Sequence, residues 1–127
     1  METIRTITAG MDALAQRLAL RVDRPVTTDP TTVAATPCVL IEPPTLEPPA
    51  LLCGAYIHRY TVLVIGLPGA RAELDPLADL LAQTIEALDD LDLMWVLAEP
   101  VAYVPLQDAS AAEPCQAYRI TVEETTL

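Results

Sequence analysis

Between Tyr56 and Ile65 the chain alternates Tyr56, His58, Tyr60, Val62 and Val64 with Ile57, Arg59, Thr61, Leu63 and Ile65. That is the two-residue period of a β-strand, built from aromatic and β-branched side chains. The second half of the run is apolar on both faces, as in the centre of a sheet covered by helices. Gly66, Pro68 and Gly69 then stop it.

The other elements follow from periodicity and punctuation. Ile4, Ile7, Met11, Leu14 and Leu18 recur at spacings of three and four, which predicts a helix over roughly residues 3 to 20. Gly10 inside it is expected to cost about 1 kcal/mol relative to Ala. Residues 22 to 37 read as a connection, with a short extended piece near Val26. Cys38 to Ile41 reads as a short buried strand ended by Pro43 and Pro44. A second helix is expected between about Arg71 and Leu91, either starting with Asp75 as N-cap and Pro76 at the first helical position or with the turn before also helical. Its predicted buried stripe is Leu74, Leu77, Ala78, Leu81, Ile85 and Leu88. Asp89, Asp90 and Asp92 gather at its C-terminal end, unfavourably placed for the helix dipole. Met94 to Pro105 is a β run bent at Pro100, and Ala117 to Val122 is a closing strand. The expectation is one α+β domain over residues 1–127: a small mixed or antiparallel four-stranded sheet packed by two helices, in the order α-β-β-α-β-β.

Residues 43–54 hold four prolines among apolar side chains. Proline keeps such a segment extended, and Leu46, Leu51 and Leu52 are poorly placed in water. Two readings stand: a long loop folded back on its own domain, or an arm whose leucines pack on a neighbouring subunit.

A net charge of −11, with no Lys and every base an Arg, argues against tight nucleic-acid binding and against docking on an anionic membrane surface. No apolar stretch approaches the roughly 18 residues of a membrane span. The N-terminus lacks a basic region leading into an apolar segment, so synthesis in the cytoplasm from Met1 is expected. The absence of Lys, Asn and Phe points to a GC-rich genome. Cys38, Cys53 and Cys115 are odd in number and read as reduced, mostly buried thiols; Cys38 and Cys115 each follow a Pro and open a β run, which leaves open whether they are neighbours.

No residue set marks a reaction. The sole His, His58, lies inside a strand, and the sole Ser, Ser110, lies in a loop without a nucleophile elbow. Cys38, Cys53, His58 and Cys115 match a zinc site in number but not in spacing. Gly66-Leu67-Pro68-Gly69 lacks a phosphate-loop pattern. Neither catalytic residue, metal nor cofactor is expected.

Three segments carry a resemblance. Pro37-Cys38-Val39-Leu40-Ile41-Glu42-Pro43-Pro44, Ala98-Glu99-Pro100-Val101 and Pro114-Cys115-Gln116-Ala117-Tyr118-Arg119-Ile120-Thr121-Val122 are similar to the tail-terminator (head-to-tail joining) proteins of long-tailed bacteriophages, in the version found with actinobacterial hosts. The resemblance runs from about Val33 to the end. It departs in the central strand, which has no Trp; Trp95 follows the second helix instead. It implies a structural virion protein forming a homohexameric ring on the head-proximal end of the tail tube, with the tube protein and the head connector as partners. The genomic DNA would pass through without specific binding, past an acidic lumen or surface for which Asp89, Asp90 and Asp92 are the candidates. The near alternative is a head-completion adaptor. From another class comes a cytosolic α+β ligand-binding module.

Overall fold

The computed structural model describes residues 2–32, 37–47, 56–67, 74–104 and 114–126. Helix α1 (Glu2–Ala19) leads through a short strand β1 (Val26–Thr27) and a 3-10 turn (Pro30–Thr32) to β2 (Cys38–Glu47) and β3 (Tyr56–Ile65). Helix α2 (Leu74–Asp90), β4 (Met94–Tyr103) and β5 (Cys115–Thr126) complete the order. The class is α+β, but the sheet has five strands rather than four, arranged β1-β2-β3-β5-β4. The additional strand is the extended piece at Val26, two residues that pair parallel to Val39 and Leu40. The remaining neighbours are antiparallel.

Both helices pack on the same face. Leu14 and Leu18 of α1 and Leu77, Leu80 and Leu88 of α2 share a core with Val39, Ile41, Tyr60, Val62, Val64, Ile120 and Val122. Each such side chain, fully buried, contributes roughly 1.5–3 kcal/mol of transfer free energy. Helix α1 lies against β1 and β2, whereas α2 lies against β3, β5 and β4. The helices therefore divide the sheet between its two edges.

Four expectations are corrected. Strand β2 does not end at Pro43; it continues to Glu47, with a register shift between Glu42 and Thr45. Strand β1 covers β2 only at Val39 and Leu40, so further along the outer edge of β2 has no described partner. A proline on that edge forfeits no ladder bond, and a bulge absorbs the extra residue. In α2 the expected Leu74, Leu77, Leu81, Ile85 and Leu88 do pack on the core, but the centre of the stripe is shifted. Leu77, Leu80, Thr84, Ala87 and Leu88 are buried, and Ala78 is exposed. Thr84 enters the core because its hydroxyl donates to the Leu80 carbonyl at 2.8 Å, so its polar group is satisfied within the helix. Finally, β4 pairs continuously through Pro100, opposite Tyr118, and its irregularity lies at Val96 instead. The described part of α2 already contains Leu74, which puts Asp75 in the first turn rather than at the N-cap.

Candidate interaction surface

On the face without helices, the two ends of the sheet differ. Around one end Cys38, Leu40, Leu63, Ile65, Cys115 and Ala117 form a second buried cluster, joined by Val101 and Tyr103. Tyr103 and Val104, on one edge of the sheet, line the same cavity of about 250 Å³ as Thr28, Pro30 and Leu40, on the other. The sheet is thus coiled at this end, and the cluster sits in its concavity. Burial first, and then the neighbouring Cys115, pushes the Cys38 thiol up to about 11, while burial alone raises Cys115. Both are packing residues in the neutral thiol form.

Towards the other end the same face is polar. Arg59 Nε donates to Glu123 Oε1 at 3.0 Å, and its Nη1 donates to Glu47 Oε1 at 3.0 Å, tying β3 to β5 and β2. Arg119 Nε donates to Glu99 Oε1 at 3.1 Å, tying β5 to β4. These arginines are neutralised in place. Arg17, Arg21 and Arg24 are exposed and, among the described residues, enter no ion pair.

His58 is 3 % exposed, and its Nδ1 has no hydrogen-bond partner. It lies on the helix-covered face, beside Tyr60 with ring centroids 6.0 Å apart. Cys38 and Cys115 occupy the opposite face, so the sheet itself separates this imidazole from both thiols. A joint metal site of these three is ruled out by geometry. Cys53 and Ser110, like Leu51 and Leu52, lie outside the described residues. Leu46 is half-buried within β2, opposite His58, and so belongs to the sheet rather than to a free arm.

The three acids after α2 have distinct positions. Leu93 N–H donates to the Leu88 carbonyl at 3.0 Å and Asp92 N–H to the Asp89 carbonyl at 3.1 Å, while Asp92 has φ of 56°. This is a Schellman cap with Asp in the left-handed position usually given to Gly. Asp89 Oδ1 accepts the Trp95 indole N–H at 3.0 Å. Asp90 is exposed on the last turn. Two of the acids thus have local structural work that charge patterning does not reveal.

Beyond this cap, β4 forms the outer edge of the sheet. Val96 is the extra residue of a bulge, since Trp95 pairs with Val122 and Leu97 with the adjacent Thr121. Met94, Val96 and Leu97 are all more than half exposed, whereas Trp95 folds inward against the core. The three form a group of exposed apolar side chains on an edge strand whose outer side has no partner among the described residues. A separate cavity of about 390 Å³ between the start of α2 and β4–β5 is lined by Leu74, Leu77, Val101, Cys115 and Tyr118 among others, with no charged side chain among the described residues. Among the described residues no helix is long and apolar enough to cross a membrane. Neither a family model nor a curated protein matches the sequence.

Proposed function

We propose that this chain is a non-enzymatic structural subunit that closes head to tail into a ring, most specifically a tail terminator. In that role it caps the head-proximal end of a phage tail tube, as a hexamer, and meets the head connector on its other side. The observation that carries the reading is the β4 edge, where Met94, Val96 and Leu97 stand exposed on a strand with no described partner on its outer side, in a chain with net charge −11. The resemblance of the segments that form β2, part of β4 and β5 supplies the identity of the assembly. The strong acidity suits a channel through which DNA slides without sticking.

Size-exclusion chromatography with light scattering and negative-stain imaging test the proposal. Rings, free or on isolated tails, are expected. A strict monomer that neither joins tail tubes nor limits their length would count decisively against it. A head-completion adaptor is distinguished by location, arriving with the filled head rather than with the tail. The apolar cavity of about 390 Å³ favours one rival of another class, a ligand-binding module. That reading requires heat-stabilisation of the monomer by a small apolar metabolite.

A further inference from the structure

The described surface carries two exposed patches of opposite charge, each around apolar side chains. The first is at the end of α1. Leu20 is 84 % exposed there, between Arg17, Arg21 and Arg24. Three of the seven arginines fall in this stretch, where Asp23 is the sole acid between residues 13 and 28; Arg24 lines a cleft with Asp23 and Asp79, which leaves Arg17 and Arg21 as the bases nearest Leu20 in the chain. The helix dipole accounts for basic charge on a last turn. It gives no reason for a leucine left almost wholly in water.

The second patch is at the start of β4. Met94 is 65 %, Val96 56 % and Leu97 51 % exposed, and Asp90 and Asp92 stand immediately before them. No base occurs between Arg71 and Arg119. Here the charge opposes the dipole of α2, so helix stability does not explain it.

The two patches lie on opposite edges of the sheet, because α1 rests on β1 and β2 whereas β4 is the far edge strand. They also lie at opposite ends. The α1 end precedes β1, which pairs with the first residues of β2, while Met94 pairs with Glu123 near the last residues of β5. Since β2 and β5 both run antiparallel to β3, they run the same way, and the patches occupy diagonal corners.

We infer that the basic patch around Leu20 of one copy docks on the acidic, apolar patch at Met94, Val96 and Leu97 of the next. The occupant is a second copy of this chain, and the contact is heterologous. Apolar side chains meet at the centre and arginines meet aspartates at the rim, the arrangement that gives an interface both burial and register. This deepens the proposed function and rests on its head-to-tail association. Because the corners are diagonal, closing the ring without a rise requires the strands to tilt against the ring axis.

The test uses two variants at exposed positions, Leu20→Glu and Val96→Glu, each checked for an unchanged circular-dichroism spectrum and melting curve. Leu20→Ser and Val96→Thr replace them if either check fails. Each variant alone is expected to lose the ring and run as a monomer. An equimolar mixture is expected to give a dimer and nothing larger, since one intact contact remains per pair. Wild-type rings with both variants still forming rings would overturn the patch pairing while leaving the ring reading standing. A mixture that stays monomeric, or a Leu20→Glu variant that assembles while Val96→Glu does not, would equally overturn it. A wild-type chain that is monomeric both alone and with tail tubes would sink both ideas.

Discussion

The Tyr60 hydroxyl stands where a β-carbon would be at Gly10. Tyr60 is 2 % exposed and belongs to the main core, so its ring has little room to withdraw. What propensity alone scores as a weak point of α1 is the place where the helix meets the Tyr60 side chain reaching across from β3.

Gly10→Ala is accordingly expected to lower stability, although Ala is the better helix former by about 1 kcal/mol. Overpacking costs about 1–3 kcal/mol and outweighs that gain. In a Tyr60→Phe background, which removes the obstructing oxygen, the same change should cost less. Urea denaturation of the four proteins of the double-mutant cycle measures the coupling. Additive effects would show that the helix does not rest on this ring.

At the other helix, Asp92→Gly should raise stability by about 0.5–1 kcal/mol. Gly takes the left-handed conformation without the steric penalty, and an unfavourable charge leaves the dipole's negative end. Asp92→Val should lower it, because a β-branched residue resists φ of 56°. Thermal melts of both variants check the sign.

Asp89→Ala removes the acceptor of the Trp95 indole and should cost about 0.5–1.5 kcal/mol. Trp95 is the only Trp, so its emission spectrum reads the loss directly. An unshifted spectrum with unchanged stability would mean that the Asp89–Trp95 bond does not hold β4 to α2.

The thiols predict an alkaline limit. Unfolded cysteine ionises near about 8.5, whereas folded Cys38 holds its proton up to about 11. Between those values the folded chain binds more protons than the unfolded one. Stability from this source is full below the lower value and falls as pH rises toward the upper. Urea midpoints from pH 8 to 11 should decline more steeply for the wild type than for Cys38→Ala. Native Cys38 should also resist alkylation at pH 8 until urea opens the sheet.

Much of this fold is legible in the residues, and the failures have physical causes. Strand β3 and the alternation of Tyr118, Ile120 and Val122 in β5 are apparent because one face is buried and the pattern has a period of two. Pro43 and Pro44 mislead because the meaning of a strand proline depends on which edge it occupies, a property of the assembled sheet. The α2 stripe is found except at its centre, because Thr84 counts as polar until its hydroxyl is seen to bond Leu80. Strand β1 is too short to carry any period. Of the residues singled out for function, Asp89 and Asp92 turn out to carry local structure as well, and only backbone dihedrals and a side-chain bond reveal it. The exposure of Leu20, Val96 and Leu97 is likewise invisible in a sequence where 52 % of residues are hydrophobic.

The paired prolines of β2 bear on what happens when many copies are crowded together. Successive residues of a strand point their amides to opposite sides, so with Pro at both 43 and 44 the outward one is missing whichever it is. A β4 edge that reaches this margin finds no donor there, and backbone zippering between copies halts. Fibrous growth by cross-β stacking is thereby starved, and concentrated protein should stay dark to thioflavin T.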